Sequence, residues 1–295
     1  MADDAPHGPL IARPARWVLG RVERSGGFVT RVTWHLVDGS SVRWASRAVR
    51  RRGRVEVRDA SGALTRVVGA EPTTAARLAR VNVVAGVAFI IGGAMFALGP
   101  LLAQLGIGSI RTVDTVYLVG GLFFSTGGYA SVVQASNVPT AIDERGTLSA
   151  TAWRWWAWLP RQIGWLSVAV LFAGTLFFGV SLVAAFASDL TARQSNGWIW
   201  LPDMTGCVCF LLSGHLALLE VCHGRIGVRP RELGWWVVAV NQVGSVFFFL
   251  AGLAAFTRPA TSTVVAAGLV DWGTFIGAVC FVVGGALQLG EHPDR

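Results

Sequence analysis

Six apolar runs dominate the chain from residue 81 onward: about Val81–Leu105, Val113–Ala135, Ile163–Ala187, Ile199–Cys222, Trp235–Phe256 and Val264–Leu289. Each supplies the roughly 20 apolar residues that a helix needs to cross the hydrocarbon of a bilayer. In that solvent a segment must pair its own backbone N–H and C=O groups, which leaves the helix as the conformation for such runs. Composition agrees: of 295 residues 53% are hydrophobic and 14% charged, where soluble domains carry about 25% charge. The expected fold is an all-α membrane bundle of six spans behind a small β-rich domain.

The last four runs are built on one repeated unit. Pro160-Arg161-Gln162-Ile163-Gly164-Trp165 opens the first copy and Glu220 closes it; Pro230-Arg231-Glu232-Leu233-Gly234-Trp235 opens the second and Glu291 closes it. Gly174 and Gly244 each follow their tryptophan by nine residues. Gly206, Phe210, Gly214 and Glu220 match Gly277, Phe281, Gly285 and Glu291, each shifted by 71. Gly120, Phe124, Gly128 and Gln134 keep the same spacing in the second run. Three helical hairpins are expected, at 81–135, 163–222 and 223–291. Each enters and leaves on one side, so they are parallel repeats about an axis along the membrane normal.

Ahead of the runs, residues 1–14 are expected to be a disordered tail, with Asp3, Asp4, Pro6, Gly8, Pro9 and Pro14. Residues 15–70 read as a small, basic, β-rich domain. Phe28, Val32, Trp34 and Leu36 alternate with Arg31, Thr33 and His35, then Asp38-Gly39 precedes Val42 and Trp44. Alternation around Asp-Gly is a hairpin signal. A weaker strand lies at Trp17–Glu23, and a second turn at Asp59-Ala60-Ser61-Gly62. A unit this small is near the limit for folding alone, so it is expected to lean on the membrane or a partner.

Residues 1–80 hold 15 arginines and 7 acids, so the whole net charge of +8 precedes the first run. The loop 136–162, rich in Trp and Arg, carries Arg145, Arg154 and Arg161, and the loop 223–234 carries Arg225, Arg229 and Arg231. The other side has Arg111, Arg193 and Arg258. Basic loops stay inside, so a multi-pass protein of the cell (inner) membrane with both termini cytoplasmic is expected. No secretory leader is visible, and the first span is expected to act as its own insertion signal. Cys207, Cys209, Cys222 and Cys280 fall in or at the ends of the runs and form no disulfide framework of the secreted kind.

The runs Asn241-Gln242-Val243-Gly244-Ser245-Val246-Phe247-Phe248 and Gly273-Thr274-Phe275-Ile276-Gly277-Ala278-Val279-Cys280-Phe281-Val282-Val283-Gly284-Gly285 resemble YrhK-type membrane proteins, in their long actinobacterial multi-pass form. The resemblance covers about 81–291 and leaves the β-rich domain outside. It implies a multi-pass bundle. Its motifs are glycine, phenylalanine and tryptophan, so it carries over no catalytic residue.

Several residues are candidates for a site. The stripes Gly120-Phe124-Gly128, Gly206-Phe210-Gly214 and Gly277-Phe281-Gly285 place small residues on one helix face, as packing seams between hairpins or as the lining of a cleft. Glu220 and Glu291, with Gln134, end returning helices. They are expected to pair with Arg161 and Arg231 at headgroup depth, or to serve a proton relay. Asp271 lies inside the sixth run, where an acid is by default functional. Asp114 and Asp271 both lie six residues ahead of a stripe glycine, which instead suggests a helix cap. Asp203 belongs with them as an acid within a run, to be read as a cap or a site. His215 is the one histidine well inside a span and reads as a hydrogen-bonded structural residue; haem would need a second ligand. Cys207 and Cys209 point roughly 200° apart on a helix and cannot share a metal. Trp153, Trp155, Trp156 and Trp158 read as an interfacial anchor, with more tryptophan than anchoring needs and so a docking face for lipid or a partner. Arg50, Arg51, Arg52 and Arg54 read as a patch for anionic lipid, at about 1 kcal/mol per charge. Nucleic acid is the alternative partner, and no motif for it is present.

No triad, phosphate loop, metal-ligand set or dinucleotide fingerprint occurs, so neither enzymatic activity nor a cofactor is expected. Two functions remain. One is a scaffold that contacts anionic lipid or a partner protein, a second copy included, at the inner leaflet. The alternative is a small-solute or ion transporter or channel using Asp271, Glu220 and Glu291.

Overall fold

The computed structural model describes residue 14 and residues 16–139, 141–143, 147–149 and 152–291. Apart from Pro14, the expected tail lies outside the described residues. Six long apolar helices follow a small antiparallel sheet.

The sheet is a meander of β1 (Val18–Ser25), β2 (Phe28–His35), β3 (Ser41–Ala45), β4 (Arg54–Arg58) and β5 (Leu64–Gly69), paired in chain order. Period-two alternation turns Val32 and Trp34 of β2 inward, opposite Trp44 and Val42 of β3. With Trp17, Val55 and Val57 they make the core of the domain. The β2–β3 turn is fastened by Asp38, whose Oδ1 accepts from the Ser40 N–H and hydroxyl; Asp59 and Ser61 repeat this at the β4–β5 turn.

Strand alternation gives no sign of α1 (Ser46–Arg52), inserted between β3 and β4. It ends on Gly53, whose φ of 57° is left-handed and whose N–H bonds to Val49 O, a conformation glycine adopts without a Cβ penalty. Val49 is fully buried in the sheet core. Arg47, Arg50 and Arg51, at i, i+3 and i+4, share the opposite face.

The long helices are α2 (Pro72–Gln104), α3 (Ile110–Ser136), α4 (Ile163–Ala184), α6 (Leu201–Val221), α7 (Leu233–Ala254) and α8 (Ala267–Leu289). Among its described residues the segment between α3 and α4 forms a pair of two-residue strands, β6 (Ala141–Ile142) and β7 (Leu148–Ser149). The short α5 (Ala192–Ser195) runs through a π-turn at Asn196–Trp200 into α6. α2 packs on α3, α4 on α6 and α7 on α8; α3 also packs on α4, α6 on α7 and α8 on α2, which closes a ring.

Glycines set the close approaches. A Cβ on Gly92 would lie 2.9 Å from Gly120 O, one on Gly206 3.0 Å from Gly174 O, and one on Gly244 2.9 Å from Gly277 O. These seams run within a helix pair. The last glycine of each stripe lies between pairs: Gly128 on Phe172, Gly214 on Gln242, and Gly285 on Gly86 and Ile90. The stripes are thus not solely seams between hairpins. Successive i+4 steps drift about 40° around a helix, so each stripe sweeps from its own partner to the next.

The middle member of each stripe faces the interior of the ring. Phe124, Phe210 and Phe281 form one triangle, with ring centroids 5.8, 5.1 and 6.0 Å apart. Phe96, Phe178 and Phe248 form a second, at 6.3, 6.1 and 6.2 Å. These are contact distances for aromatic rings, and a void of about 10 Å³ is lined by five of the six rings together with Gly121 and Thr175.

Candidate functional site

The arginine face of α1 enters the end of the ring nearest the sheet. Arg47 grips Glu291 with two parallel bonds, Nε to Oε1 at 3.1 Å and Nη2 to Oε2 at 2.8 Å. Arg50 Nη2 donates to Glu220 Oε2 at 2.6 Å, and the Ser46 hydroxyl donates to Glu220 Oε1 at 2.5 Å. Arg51 Nη1 donates to Asn82 Oδ1 at 2.8 Å and Gln134 Oε1 at 2.9 Å, and its Nη2 to Gln288 Oε1 at 3.4 Å. The three residues that the spacing aligns, Gln134, Glu220 and Glu291, thus each receive one arginine of α1.

The glycines of the two Pro-Arg motifs make room for this. A Cβ on Gly164 would lie 2.5 Å from Glu220 Oε1 and 2.9 Å from Arg50 Nε. One on Gly234 would lie 2.7 Å from Glu291 Oε1 and 2.9 Å from Arg47 Nε. Asn82 precedes Gly92 by the same ten residues as Gly164 precedes Gly174 and Gly234 precedes Gly244. Here the sequence pairs Asn82 with Gln134 where the other two places pair glycine with glutamate.

Two expectations are corrected. Arg161 and Arg231 are exposed, and the glutamates pair with α1 instead. Arg50 and Arg51 are only 2% and 6% exposed, and Arg52 and Arg54 are half-buried, so this run is not a patch open to lipid. Consecutive arginines look like a surface in sequence, but helical spacing turns two of them, with Arg47, into the ring.

Among the described residues the cluster holds three guanidiniums and two carboxylates. Burial, with Arg50 and Arg47 alongside, pushes Arg51 down to about 9. Burial alone would raise Glu291, but Arg47 and Arg51 hold it below the usual carboxylate value. Beneath the arginines is a cavity of about 80 Å³, lined by Ser131, Ser167, Ser213, Asn241 and Gln288, with Phe210 and Phe281 as its floor. Across the two phenylalanine triangles lies a second cavity of about 240 Å³. Phe96, Phe178 and Phe248 border it, with Tyr117, Trp200 and Asp203 in its wall.

Of the remaining candidates, Cys207 lines the second cavity, whereas Asp271, His215, Trp153, Trp155, Trp156 and Trp158 lie apart from both. Asp271 accepts from Gln104 Nε2 at 2.6 Å at the far end of the ring. It caps nothing, because the residue ahead of α8 is Ala266 and α3 is capped by Ser109, which also excludes Asp114. His215 is exposed on the outer face of α6 rather than bonded in the interior. Cys207 is buried against Phe248 O. Trp155, Trp156 and Trp158 are exposed, the last two stacked edge-on against buried Trp165, and Trp153 lies under Arg77. Sequence reasoning missed Ser46, Arg47, Asn82, Ser131 and Gln288. The i, i+3, i+4 spacing of Arg47, Arg50 and Arg51 was the available signal for Arg47. Among the described residues no three His, Cys, Asp or Glu side chains are grouped to hold a metal ion.

No protein-family model matches the chain, and neither curated proteins nor solved structures include a significant match.

Proposed function

We propose that this chain is an integral membrane protein whose three like hairpins enclose a gated pathway for a small solute. One observation carries the reading: two cavities lie on opposite sides of a double triangle of phenylalanines. Apolar constrictions close a pore by excluding water, and α1 is placed as a stopper over one mouth. The Gly-Phe-Gly spacing supports repeats about an axis along the membrane normal, and the runs 241–248 and 273–285 support kinship with YrhK-type proteins. No catalytic residue or cofactor is part of this function.

Exposed Arg77, Arg80, Arg154, Arg161, Arg225 and Arg231 surround the sheet end, which supports a cytoplasmic sheet. Purified protein in liposomes tests the pathway. Phe210→Ala and Phe281→Ala, each checked for folding, are expected to leak small ions that the native chain holds back. Folded variants that stay as tight as the native chain to every ion and small solute tried would end this reading.

The exposed Trp155, Trp156 and Trp158 favour a second reading, a scaffold docked on anionic lipid or a partner at the inner leaflet. Native mass spectrometry from nanodiscs tests it: lipid or protein retained by the native chain and lost when the three tryptophans become alanine supports it, and a bare monomer counts against it.

A further inference from the structure

The mouth of the ring carries more positive charge and more donors than the described residues use. Three guanidiniums face two carboxylates, and the place aligned with those carboxylates holds neutral Gln134. Arg50 Nε and Nη1, Arg51 Nε, the Ser131 hydroxyl and Gln288 Nε2 are buried with no hydrogen-bond partner among the described residues; Arg51 Nε has only Glu291 Oε2 at 4.0 Å. All four of these residues line the cavity of about 80 Å³. Ser167 and Ser245 are already bonded to backbone carbonyls, and among the described residues Asn241 Oδ1 is an unpaired acceptor of the wall that has no proton of its own to donate.

Buried donors without partners are costly, and charged ones more so. A buried charge without a counter-charge is costlier still. Water could satisfy the donors but not the charge, whereas an anion satisfies both. The surplus is a single charge, and the space suits one small ion with a few waters. We propose that this cavity binds a small inorganic monovalent anion of about the size of chloride, held by Arg50, Arg51, Ser131 and Gln288. As a binding site it stands without conduction; as the identity of the permeating solute it rests on the pathway reading.

The test uses the full chain, purified in detergent with gluconate as the only anion and titrated with sodium chloride at constant ionic strength. The thermal midpoint is expected to climb by a few degrees for each tenfold rise in chloride above the dissociation constant, and the chloride-35 resonance to broaden saturably. Gln134→Glu supplies the missing carboxylate without opening a cavity. It is expected to abolish both responses while melting in gluconate no lower than the native chain. Ser131→Ala, a milder change, is expected to weaken both responses and leave the fold unaltered. Equal behaviour of the native chain in gluconate and chloride would mean that the cavity holds only water. That result, or variants that respond as the native chain does, overturns the assignment. Chloride binding without flux in liposomes would retain the site and remove the pathway reading. Flux of another solute without chloride binding would do the reverse.

Discussion

Replacing Glu220 by glutamine probes the contact that seats the sheet in the ring. Glu220 is fully buried, and its two oxygens accept from Ser46 at 2.5 Å and Arg50 at 2.6 Å. Glutamine keeps the shape and removes the charge, so three guanidiniums would face Glu291 alone. Removing one member of a buried pair costs about 3–5 kcal/mol, because the partner stays buried and uncompensated. At 1.4 kcal/mol per tenfold, that weakens the seating equilibrium by roughly two to three and a half powers of ten. Denaturant unfolding gives the total, and hydrogen exchange of residues 46–53 in nanodiscs reports whether α1 has come loose. The double variant Arg50→Gln with Glu220→Gln restores the charge balance and is expected to recover most of the loss, giving a coupling energy from the cycle. Glu232→Gln is the control: the Arg229–Glu232 pair is 32% and 47% exposed, and pairs of that kind contribute about 0.2–1 kcal/mol. A loss below about 1 kcal/mol for Glu220→Gln, with α1 still protected, would refute the claim that this buried pair seats the domain.

Three further outcomes are expected. Gly164→Ala and Gly234→Ala force a Cβ against fixed carboxylate and guanidinium atoms and are expected to lower stability by about 1–3 kcal/mol. Gly179→Ala, where a Cβ meets nothing within 4 Å, is expected to be neutral or stabilising; equal effects at all three sites would contradict the packing. Arg161→Gln and Arg231→Gln, at exposed positions, are expected to change stability by less than about 0.5 kcal/mol, and a large loss in chemical denaturation would revive their pairing with the glutamates. Stability is expected to fall in two stages on acidification. Burial, aided by Arg31 and Arg229, pushes His223 down to about 3 from 6.5, so below pH 6.5 the unfolded chain takes up a proton that the fold refuses. The depressed Glu291 supplies stability above its ordinary value of 4.5 that is lost as pH falls through its lower folded value. Melting across a pH series should show His223→Asn flattening the upper stage only.

Much of the architecture was legible along the chain because membrane helices and meanders are specified locally. The six apolar runs, the Asp38 and Asp59 turns and the alternation of β2 and β3 each follow from a short-range rule, since a residue's face is set by the period of its own element. The aligned Gln134, Glu220 and Glu291 could also be picked out as special. Their partners could not. Arg50, Arg51 and Arg52 are adjacent in sequence, and a run of like charge reads as a solvated face. α1 is also too short to announce itself through apolar periodicity.

What the sequence alone determined is the inventory: six membrane-length helices, a basic β-rich domain, glycine–phenylalanine stripes at matched spacing, and a glutamine standing where two glutamates would be expected to have a third. Tertiary structure decided who meets whom. Residues 46–51 reach Asn82, Gln134, Glu220, Gln288 and Glu291 across separations of 31 to 244 positions. No local rule encodes such distances, because they exist only once the ring has closed and the sheet has docked over its mouth. The same closure turns scattered phenylalanines into two triangles, and an uneven count of arginines and glutamates into a cavity with one positive charge to spare.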